Sequence, residues 1–481
     1  MSTIKKNVIY SMLYQILVLI VPIITTPYLA RTLGAENQGI YAYAYSIVQY
    51  FALFIMLGIS DHGNRSVANV RDNPKIRSEI FWSIYLIQAI ASVLVITIYI
   101  IYIFVSKNEY RLIFLIQLLY LISVALDINW YFWGMEQFKI TVTRNTVIKL
   151  VFIAVIFIFV HNTGDLLRYV LIMACVPLLS NLVLWLFLRK QIDSPCIVRL
   201  NMARHIKACL ILFIPLVARS VFVFMDKIML GVMNTMTQVA IYDNAEKIVL
   251  APTSIITAIG TVMLPRLSNL IYNHKYEESK HITKISIDIV MILSMAFLWG
   301  ILSVADIFIP LYLGKEFSEC AKVFKMMAFT IPLVGWTNVI RTQYIIPMHM
   351  DKKYMISVIL GAIANFCVNY IMIPYHGAYG AAAGWIVAEL IICIYQTVCV
   401  KGQLPIFSYI KDTFSYNICG FVMYMLIIKI PMQSSLLTTI LIRVFAGALI
   451  YGICLVPYVY LENKELLFEI FKRKGIDSND K

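Results

Sequence analysis

The stretch VIYSMLYQILVLIVPIITTPYLA, residues 8–30, is an apolar run that follows Lys5 and Lys6 and ends at Arg31. A helix needs about 20 apolar residues to cross the core of a bilayer, and this run is long enough. A secretory signal peptide is the competing interpretation, but its apolar region is normally about 7–15 residues and ends at a small-residue cleavage site. We therefore predict that the run is a first membrane span.

The composition extends this conclusion to the whole chain. Of the 481 residues, 61% are hydrophobic and 14% are charged, and the mean hydropathy is +0.81. Soluble domains contain about 45–50% apolar and about 25% charged residues, so a soluble fold is excluded. Disorder is excluded as well, because it requires little apolar surface. The nine cysteines form no C-x-x-C pair and are predicted to be packing residues. We expect an all-α polytopic membrane protein.

Fourteen windows along the chain are apolar enough to be membrane spans. They cover residues 8–30, 38–60, 80–105, 111–133, 143–161, 165–188, 208–230, 239–263, 285–309, 323–347, 354–374, 378–400, 412–430 and 437–461. Only Tyr375, His376 and Gly377 separate the eleventh window from the twelfth, so twelve or thirteen spans remain alternatives.

The positive charges indicate the orientation of these spans. With a cytoplasmic N-terminus, the inside segments hold 26 Lys and Arg residues and the outside segments hold 7. Lys and Arg favour the cytoplasmic side, so both termini are predicted to be cytoplasmic. Arg144, at the start of the fifth span, is counted among the inside charges.

All connections are short, and no G-x-x-x-x-G-K-[ST] motif is present, so an ATPase is not predicted. The net charge of +14 then needs no nucleic-acid partner.

A sequence pattern occurs twice, six spans apart. Leu33-Gly34 followed by Ile40-Tyr41-x-x-Ala44-x-x-Ile47 is repeated as Leu230-Gly231 followed by Ile241-Tyr242-x-x-Ala245-x-x-Ile248. Parallel repeats of this kind occur in transporters. We predict two parallel six-helix lobes, residues 1–195 and 205–400, two further helices in 412–461, and a cytoplasmic tail, 462–481.

The same region resembles a known family. Pro27-Tyr28-Leu29-Ala30-Arg31-Thr32-Leu33-Gly34, Gly39-Ile40-Tyr41-Ala42-Tyr43-Ala44, Leu57-Gly58 and Gly63-Asn64-Arg65 are similar to the opening of bacterial polysaccharide flippases. Phe213-Ile214-Pro215, Asp226-Lys227-Ile228-Met229-Leu230-Gly231 and Ala245-Glu246-Lys247-Ile248 resemble their seventh and eighth helices. These flippases belong to the multidrug/oligosaccharidyl-lipid/polysaccharide exporter superfamily. Asn64 departs from the Gly-Thr-Arg of most relatives.

The resemblance carries expectations about fold and function. It implies two helical lobes around a central cavity that opens to either side of the bacterial plasma membrane in turn. It also implies export of undecaprenyl-diphosphate-linked oligosaccharides, with polysaccharide assembly proteins as candidate partners. The motifs that carry it lie in residues 22–68 and 208–270.

Ionisable residues inside spans are candidates for function, because each costs about 2.5–3.5 kcal/mol at the centre of a membrane helix. The cations are Lys149, Arg219, Lys227, Lys247, Lys325, Arg341 and Arg443. Their excess over anions favours an anionic ligand. The candidate substrate-binding residues are Arg219, Lys247, Arg341 and Asp226.

Each candidate has a structural alternative. Arg219 lies near the middle of its span and is predicted either to bind an anion or to form an ion pair. Asp226 follows seven residues later, on the same stripe of an ideal helix and about 10 Å away. Lys247 has Asp243 four residues before it, so it either forms a helical pair or faces a cavity. Arg341 either snorkels to the interface or faces a cavity.

A second set of residues is predicted to couple transport to an ion. Glu389 lies mid-span with no cation within one turn of its own helix, and it is a candidate for binding a proton or cation; a packing role is the alternative. Glu246 and Asp127 are further coupling candidates. Lys149, Lys325 and Arg443 lie near span ends and are predicted to be interfacial. Trp130, Tyr131 and Trp133 are predicted to form an interfacial aromatic belt, with sugar stacking as the alternative.

Three functions compete on these grounds. A flippase for a diphosphate-linked oligosaccharide would use the cations and would need no covalent chemistry. A drug exporter of the same superfamily would need acidic residues for cationic drugs. A membrane-embedded polysaccharide polymerase would need a large outer loop, and the longest outer connection, 310–322, is short. The flippase is favoured, with no cofactor, no metal and no enzymatic step, and with a proton, a sodium ion or the membrane potential as the driving force.

Overall fold

The structure is a computed structural model that describes the backbone of residues 3–106, 109–189, 191–193 and 201–462. Within these ranges, side chains are described from residue 21 onward, apart from residues 138, 218, 219, 221, 222, 461 and 462. The described chain is helical and contains no strand, as the composition predicts.

Seventeen α-helices follow one another in the described part of the chain. They are α1 (Thr3–Met56), α2 (Ile59–Asn69), α3 (Pro74–Val105), α4 (Arg111–Ala125), α5 (Asn129–Gly134), α6 (Phe138–Phe159), α7 (Leu166–Leu188), α8 (Met202–Ser220), α9 (Asp226–Met233), α10 (Met236–Tyr272), α11 (Tyr276–Tyr312), α12 (Cys320–Ala328), α13 (Thr330–Ile340), α14 (Asp351–His376), α15 (Ala378–Val400), α16 (Ile406–Ile427) and α17 (Leu436–Glu462).

Eleven helical stretches of the described chain are long and apolar enough to cross a membrane. The first of them, Val21–Asn69, contains two predicted spans. Gly34, with φ 75° and ψ 172°, breaks α1 between these two spans. The seventh predicted span falls on α8 and α9 and the thirteenth on α16, which are helical but are not among those eleven stretches. A helix therefore lies at each of the fourteen predicted spans.

The short turn between the eleventh and twelfth spans is a true helix break. Helix α14 ends at His376, Gly377 has φ 50°, and α15 begins at Ala378. A positive φ is readily adopted by glycine, which explains how the chain reverses with so few residues. The two windows are thus separate helices, as predicted.

The chain forms two compact units, residues 1–240 and 241–481. In the first unit, α4 packs against α7 and α1, and α2 packs against α5. In the second unit, α14 and α15 form a hairpin, while α11 contacts α13, α16 and α17. The division into lobes of 1–195 and 205–400 stays a prediction.

The aromatic residues of α5 contribute to the core of the first unit. Trp130 is 1% exposed and its ring stacks on that of Phe81, with 5.3 Å between the ring centroids. Tyr131 is also buried, whereas Trp133 is 40% exposed. The prediction of an interfacial belt is therefore wrong for Trp130 and Tyr131. The physical reason is the break between α4 and α5, which lets the short helix α5 turn these rings into the core.

Gly63 is needed for this packing. A β-carbon at Gly63 would lie 2.5 Å from the ring of Trp130. Real β-carbon contacts are longer, so only glycine lets α2 approach α5 this closely. The Gly63-Asn64-Arg65 segment thus has a structural role at its first residue.

Candidate functional site

Two helices of the described chain widen into a π-helical turn, one in each compact unit. Val221–Met225 joins α8 to α9, and Arg341–Ile345 follows α13. Such turns are rare and occur often at functional sites. The first begins two residues after Arg219 and the second begins at Arg341, so both predicted substrate arginines lie at these irregular turns.

Arg219 lies in the last turn of α8, and its side chain is outside the part of the protein that the structure describes. Asp226 begins α9 and is 1% exposed. Tyr50 donates a hydrogen bond of 3.2 Å to the carbonyl oxygen of Ser220, just before the π-helical turn. Because the π-helical turn bonds each residue to the fifth rather than the fourth before it, seven residues make fewer than two full turns. The prediction that Arg219 and Asp226 share a helix stripe is therefore wrong.

Asp127 lies in the break between α4 and α5. Its carboxylate accepts hydrogen bonds from the backbone N–H of Asn129 at 2.8 Å and from the Asn129 side chain at 2.6 Å. These contacts satisfy a donor at the beginning of α5. Asp127 thus has a structural role at the helix break, and its role in coupling stays a prediction.

The backbone oxygens exposed by this break are bound by side chains. The side-chain nitrogen of Gln88 lies 2.9–3.2 Å from the carbonyl oxygens of Val124, Ala125 and Asp127. The indole of Trp185 donates to the oxygen of Leu126 at 3.0 Å. Inside a membrane, freed backbone groups need such protein partners, since lipid offers none.

Arg144 is buried beside the same break, although the sequence places it among the cytoplasmic charges. It is 8% exposed, and its guanidinium donates to the side-chain oxygens of Asn129 at 2.9 Å and Asn145 at 2.6 Å, and to the carbonyl oxygen of Ser180 at 3.3 Å. The count of inside charges does not reveal this burial. In the sequence, the burial of Arg144 is indicated by the asparagines that lie within the apolar runs around it.

Lys247 forms the helical pair predicted with Asp243. Its ammonium lies 2.5 Å from the Asp243 carboxylate; the Lys247 side chain is 47% exposed and that of Asp243 is 8% exposed. Glu246, the next residue along α10, is buried. Whether Lys247 also binds substrate and Glu246 couples an ion stays a prediction.

Arg341 and Glu389 both lie in the second unit. The guanidinium of Arg341 lies over the ring of Tyr354, 5.6 Å from its centroid, and 3.4 Å from its hydroxyl. Glu389 accepts a hydrogen bond of 3.4 Å from the indole of Trp385 and interacts electrostatically with Arg341. The cation near Glu389 thus comes from another helix, which a search along its own helix could not reveal.

Arg443 is also buried, and the interfacial depth predicted for it stays a prediction. It is 8% exposed, and it donates to the carbonyl oxygens of Ser303 at 2.9 Å and Ile430 at 3.1 Å. These bonds join α17 to α11 and to the segment after α16. Backbone oxygens of distant segments thus supply the partners that allow this arginine to be buried.

Together, the fold and these buried charges define a multi-pass membrane protein with ionisable residues and helix breaks inside its spans. Among solved structures, the chain is similar to lipid II flippase MurJ in an inward closed conformation, with a TM-score of 0.76, 14% identity, and coverage of 94% of this chain and 99% of that chain. An inward-facing multidrug resistance MATE family transporter of the MOP superfamily matches with a TM-score of 0.62, 14% identity, and coverage of 80% and 95%. At these identities the likeness is one of fold.

The sequence gives the family. The model of the family described as polysaccharide biosynthesis protein matches residues 4–271, more than half of the chain, so the protein belongs to this family. The chain is also 24% identical over 401 residues to a putative O-antigen transporter of Shigella dysenteriae, across 82% of this chain and 100% of that protein. The family resemblance predicted from residues 22–68 and 208–270 is confirmed.

Proposed function

We propose that the protein is a flippase that moves an undecaprenyl-diphosphate-linked oligosaccharide from the inner to the outer face of the bacterial plasma membrane, by alternating access with a cationic cavity. Family membership, the similarity to a protein named as a putative O-antigen transporter, and the MurJ-like fold support a transporter of lipid-linked glycans. The glycan would then serve the synthesis of a surface polysaccharide.

The observation that carries the proposal is the position of Arg219 and Arg341 within predicted spans, each at a π-helical turn. A diphosphate without partners faces an idealised penalty of about 20 kcal/mol per charge in hydrocarbon. A guanidinium can hold two phosphate oxygens at once, which reduces this penalty. An inside-negative potential adds about 2.3 kcal/mol per charge per 100 mV in favour of outward movement of an anion.

We propose a role in alternating access for the packing of the repeated sequence pattern inside the first unit. A β-carbon at Gly39 would overlap the backbone oxygen of Met236, and one at Gly231 would overlap the ring of Tyr43. Two glycines thus bring the α1 copy of the pattern against the segment of the second copy. We infer that this contact forms in one state of the cycle and opens in the other.

Complementation tests the proposed function. A bacterial strain that lacks its own polysaccharide flippase should regain surface glycan when it expresses this protein, and it should not gain resistance to cationic drugs. Surface glycan is scored by labelling intact cells, with the protein level in the membrane as the control. Drug resistance without surface glycan would contradict the proposal and favour the drug exporter.

Glu389→Gln tests ion coupling. We expect the substitution to slow transport and to remove its dependence on pH or on sodium, because glutamine has the size of glutamate but cannot bind and release a proton. Transport by the purified protein in vesicles is measured across a pH series, with and without sodium. Glu277→Gln, at a site whose side chain is 88% exposed, is the matched control and should behave as the parent. An unchanged pH and ion dependence in Glu389→Gln would assign Glu389 to packing.

Reporter fusions test the proposed cytoplasmic termini. A reporter placed after Lys107 should lie outside the cell and one placed after Lys190 should lie inside, because of the distribution of Lys and Arg along the connections. Alkaline phosphatase activity reports a position outside the cell, and green fluorescence reports a position inside it. The same side at both positions would contradict the topology.

A further inference from the structure

A polar cleft of about 670 Å³ opens in the unit formed by residues 1–240. Its lining includes the charged side chains of Arg77, Arg189 and Asp193 and the amides of Gln137 and Gln191. This volume lies within the range of about 300–1,000 Å³ that is typical of small-molecule sites. None of these residues belongs to the predicted substrate or coupling sets.

The cleft lies where several membrane-spanning stretches begin or end. Its residues flank the ends of Arg111–Gly134 and Thr163–Leu188 and the starts of Pro74–Val105 and Lys139–Phe159. These ends are on the side predicted to be cytoplasmic. Leu186, one turn before the cleft on α7, is 72% exposed, as expected for a side chain that faces lipid. On the predicted topology, the cleft lies at the level of the lipid headgroups of the inner leaflet.

Hydrogen bonds hold the cleft in shape. The side-chain amides of Gln137 and Gln191 bond to each other in both directions, at 3.1 and 2.9 Å. Arg77 donates to the backbone oxygens of Arg71 at 2.7 Å and Gln191 at 2.9 Å. The indole of Trp82 donates to the backbone oxygen of Asp193 at 2.9 Å. The cleft is thus held in shape by its own hydrogen bonds, two of which Arg77 donates to backbone oxygens.

Of the charged lining residues that the structure describes, Arg189 and Asp193 are exposed, and their charges are of opposite sign. A guanidinium is suited to a phosphate, and a carboxylate is suited to an ammonium that still carries N–H donors. We propose that the cleft binds the headgroup of a zwitterionic phospholipid, with its phosphate at Arg189 and its primary ammonium at Asp193. A net-anionic headgroup would leave Asp193 unmatched, and a trimethylated ammonium would offer it no N–H. The inference is independent of the transported substrate.

Lipid retention by the purified full-length protein tests the proposal. The protein in detergent is mixed with phosphatidylethanolamine, phosphatidylcholine or phosphatidylglycerol with identical acyl chains, and bound lipid is counted by native mass spectrometry. We expect about tenfold tighter retention of phosphatidylethanolamine than of phosphatidylcholine, the size of one charge-assisted hydrogen bond. Asp193→Asn should remove this preference, and Arg189→Gln should weaken the binding of all three lipids. Arg204→Gln, an exposed arginine outside the cleft, is the matched control and should bind as the parent.

Three results would overturn the proposal. The first is equal retention of phosphatidylethanolamine and phosphatidylcholine, or a preference for phosphatidylglycerol. The second is an effect of Arg189→Gln no larger than that of Arg204→Gln. The third is displacement of the bound lipid by free phosphoethanolamine that is added to the same protein at a similar concentration. Displacement by the free compound would assign the cleft to a soluble ligand instead.

Discussion

Replacement of Arg219 with alanine is expected to abolish glycan export while the protein still folds and inserts. Arg219 lies mid-span at the end of α8, next to the π-helical turn Val221–Met225. No acidic residue lies three or four positions away on its own helix. Its position within a predicted span and the diphosphate of the proposed substrate are the grounds on which we propose Arg219 as an anion ligand.

The size of the effect follows from the number of bonds lost. A hydrogen bond to a charged group contributes about 1.5–3 kcal/mol, so two such bonds amount to a loss of at least about a hundredfold in transport. Arg219→Lys keeps the charge but loses the bidentate geometry, so its glycan export should lie between that of the parent and that of Arg219→Ala. Surface glycan in the complemented strain is the measurement, with the membrane protein level and the size-exclusion profile as checks on folding.

Arg204→Ala is the matched control for this experiment, because Arg204 is an exposed arginine near the other end of the same helix. It should export glycan as the parent does. Full export by Arg219→Ala at a normal protein level would instead show that Arg219 is a structural charge.

Gly39→Ala is expected to have the second largest effect, a loss of export through conformation rather than through binding. The added methyl group would overlap the backbone oxygen of Met236, which cannot move aside as a flexible side chain can. Overpacking of this kind costs about 1–3 kcal/mol, which lowers the population of the close-packed state by about fivefold to about 150-fold. A transporter that must visit this state in each cycle would slow accordingly.

A second glycine provides the control for added volume. Gly452, within α17, has nothing within 4 Å of the position that a β-carbon would occupy. Gly452→Ala should therefore fold and export as the parent does. To detect the conformational shift directly, cysteines are placed near positions 39 and 236 and their crosslinking yield is compared with and without the Gly39 substitution. Export by Gly39→Ala equal to that by Gly452→Ala would contradict the need for this close contact.

Much of the fold could be predicted from local sequence. Membrane spans are encoded by continuous apolar runs, and so a helix was found at each predicted window, including the close pair separated at Gly377. The Asp243–Lys247 pair was also predictable, because both residues lie on one helix at a fixed spacing. The family could be recognised from short motifs near α1 and α8–α10.

The environments of single charges were harder to predict. Arg144 and Arg443 are buried because backbone and side-chain oxygens from distant segments bind them, and a single-helix reading cannot identify those segments. The π-helical turn before Asp226 changes which residues share a helix face, and apolar periodicity does not report it. Glu389 likewise interacts electrostatically with Arg341, which lies outside its own helix.

Direct measurement of translocation by the purified protein tests the central claim. The protein is reconstituted into vesicles that contain an undecaprenyl-diphosphate-linked oligosaccharide, and a membrane-impermeant glycosidase reports how much glycan reaches the outer leaflet. We expect rapid exposure of the internal glycan with the parent protein and exposure near the protein-free level with Arg219→Ala. Exposure by the parent no faster than in protein-free vesicles, or equally fast exposure by Arg219→Ala, would contradict a flippase that holds a diphosphate through this arginine.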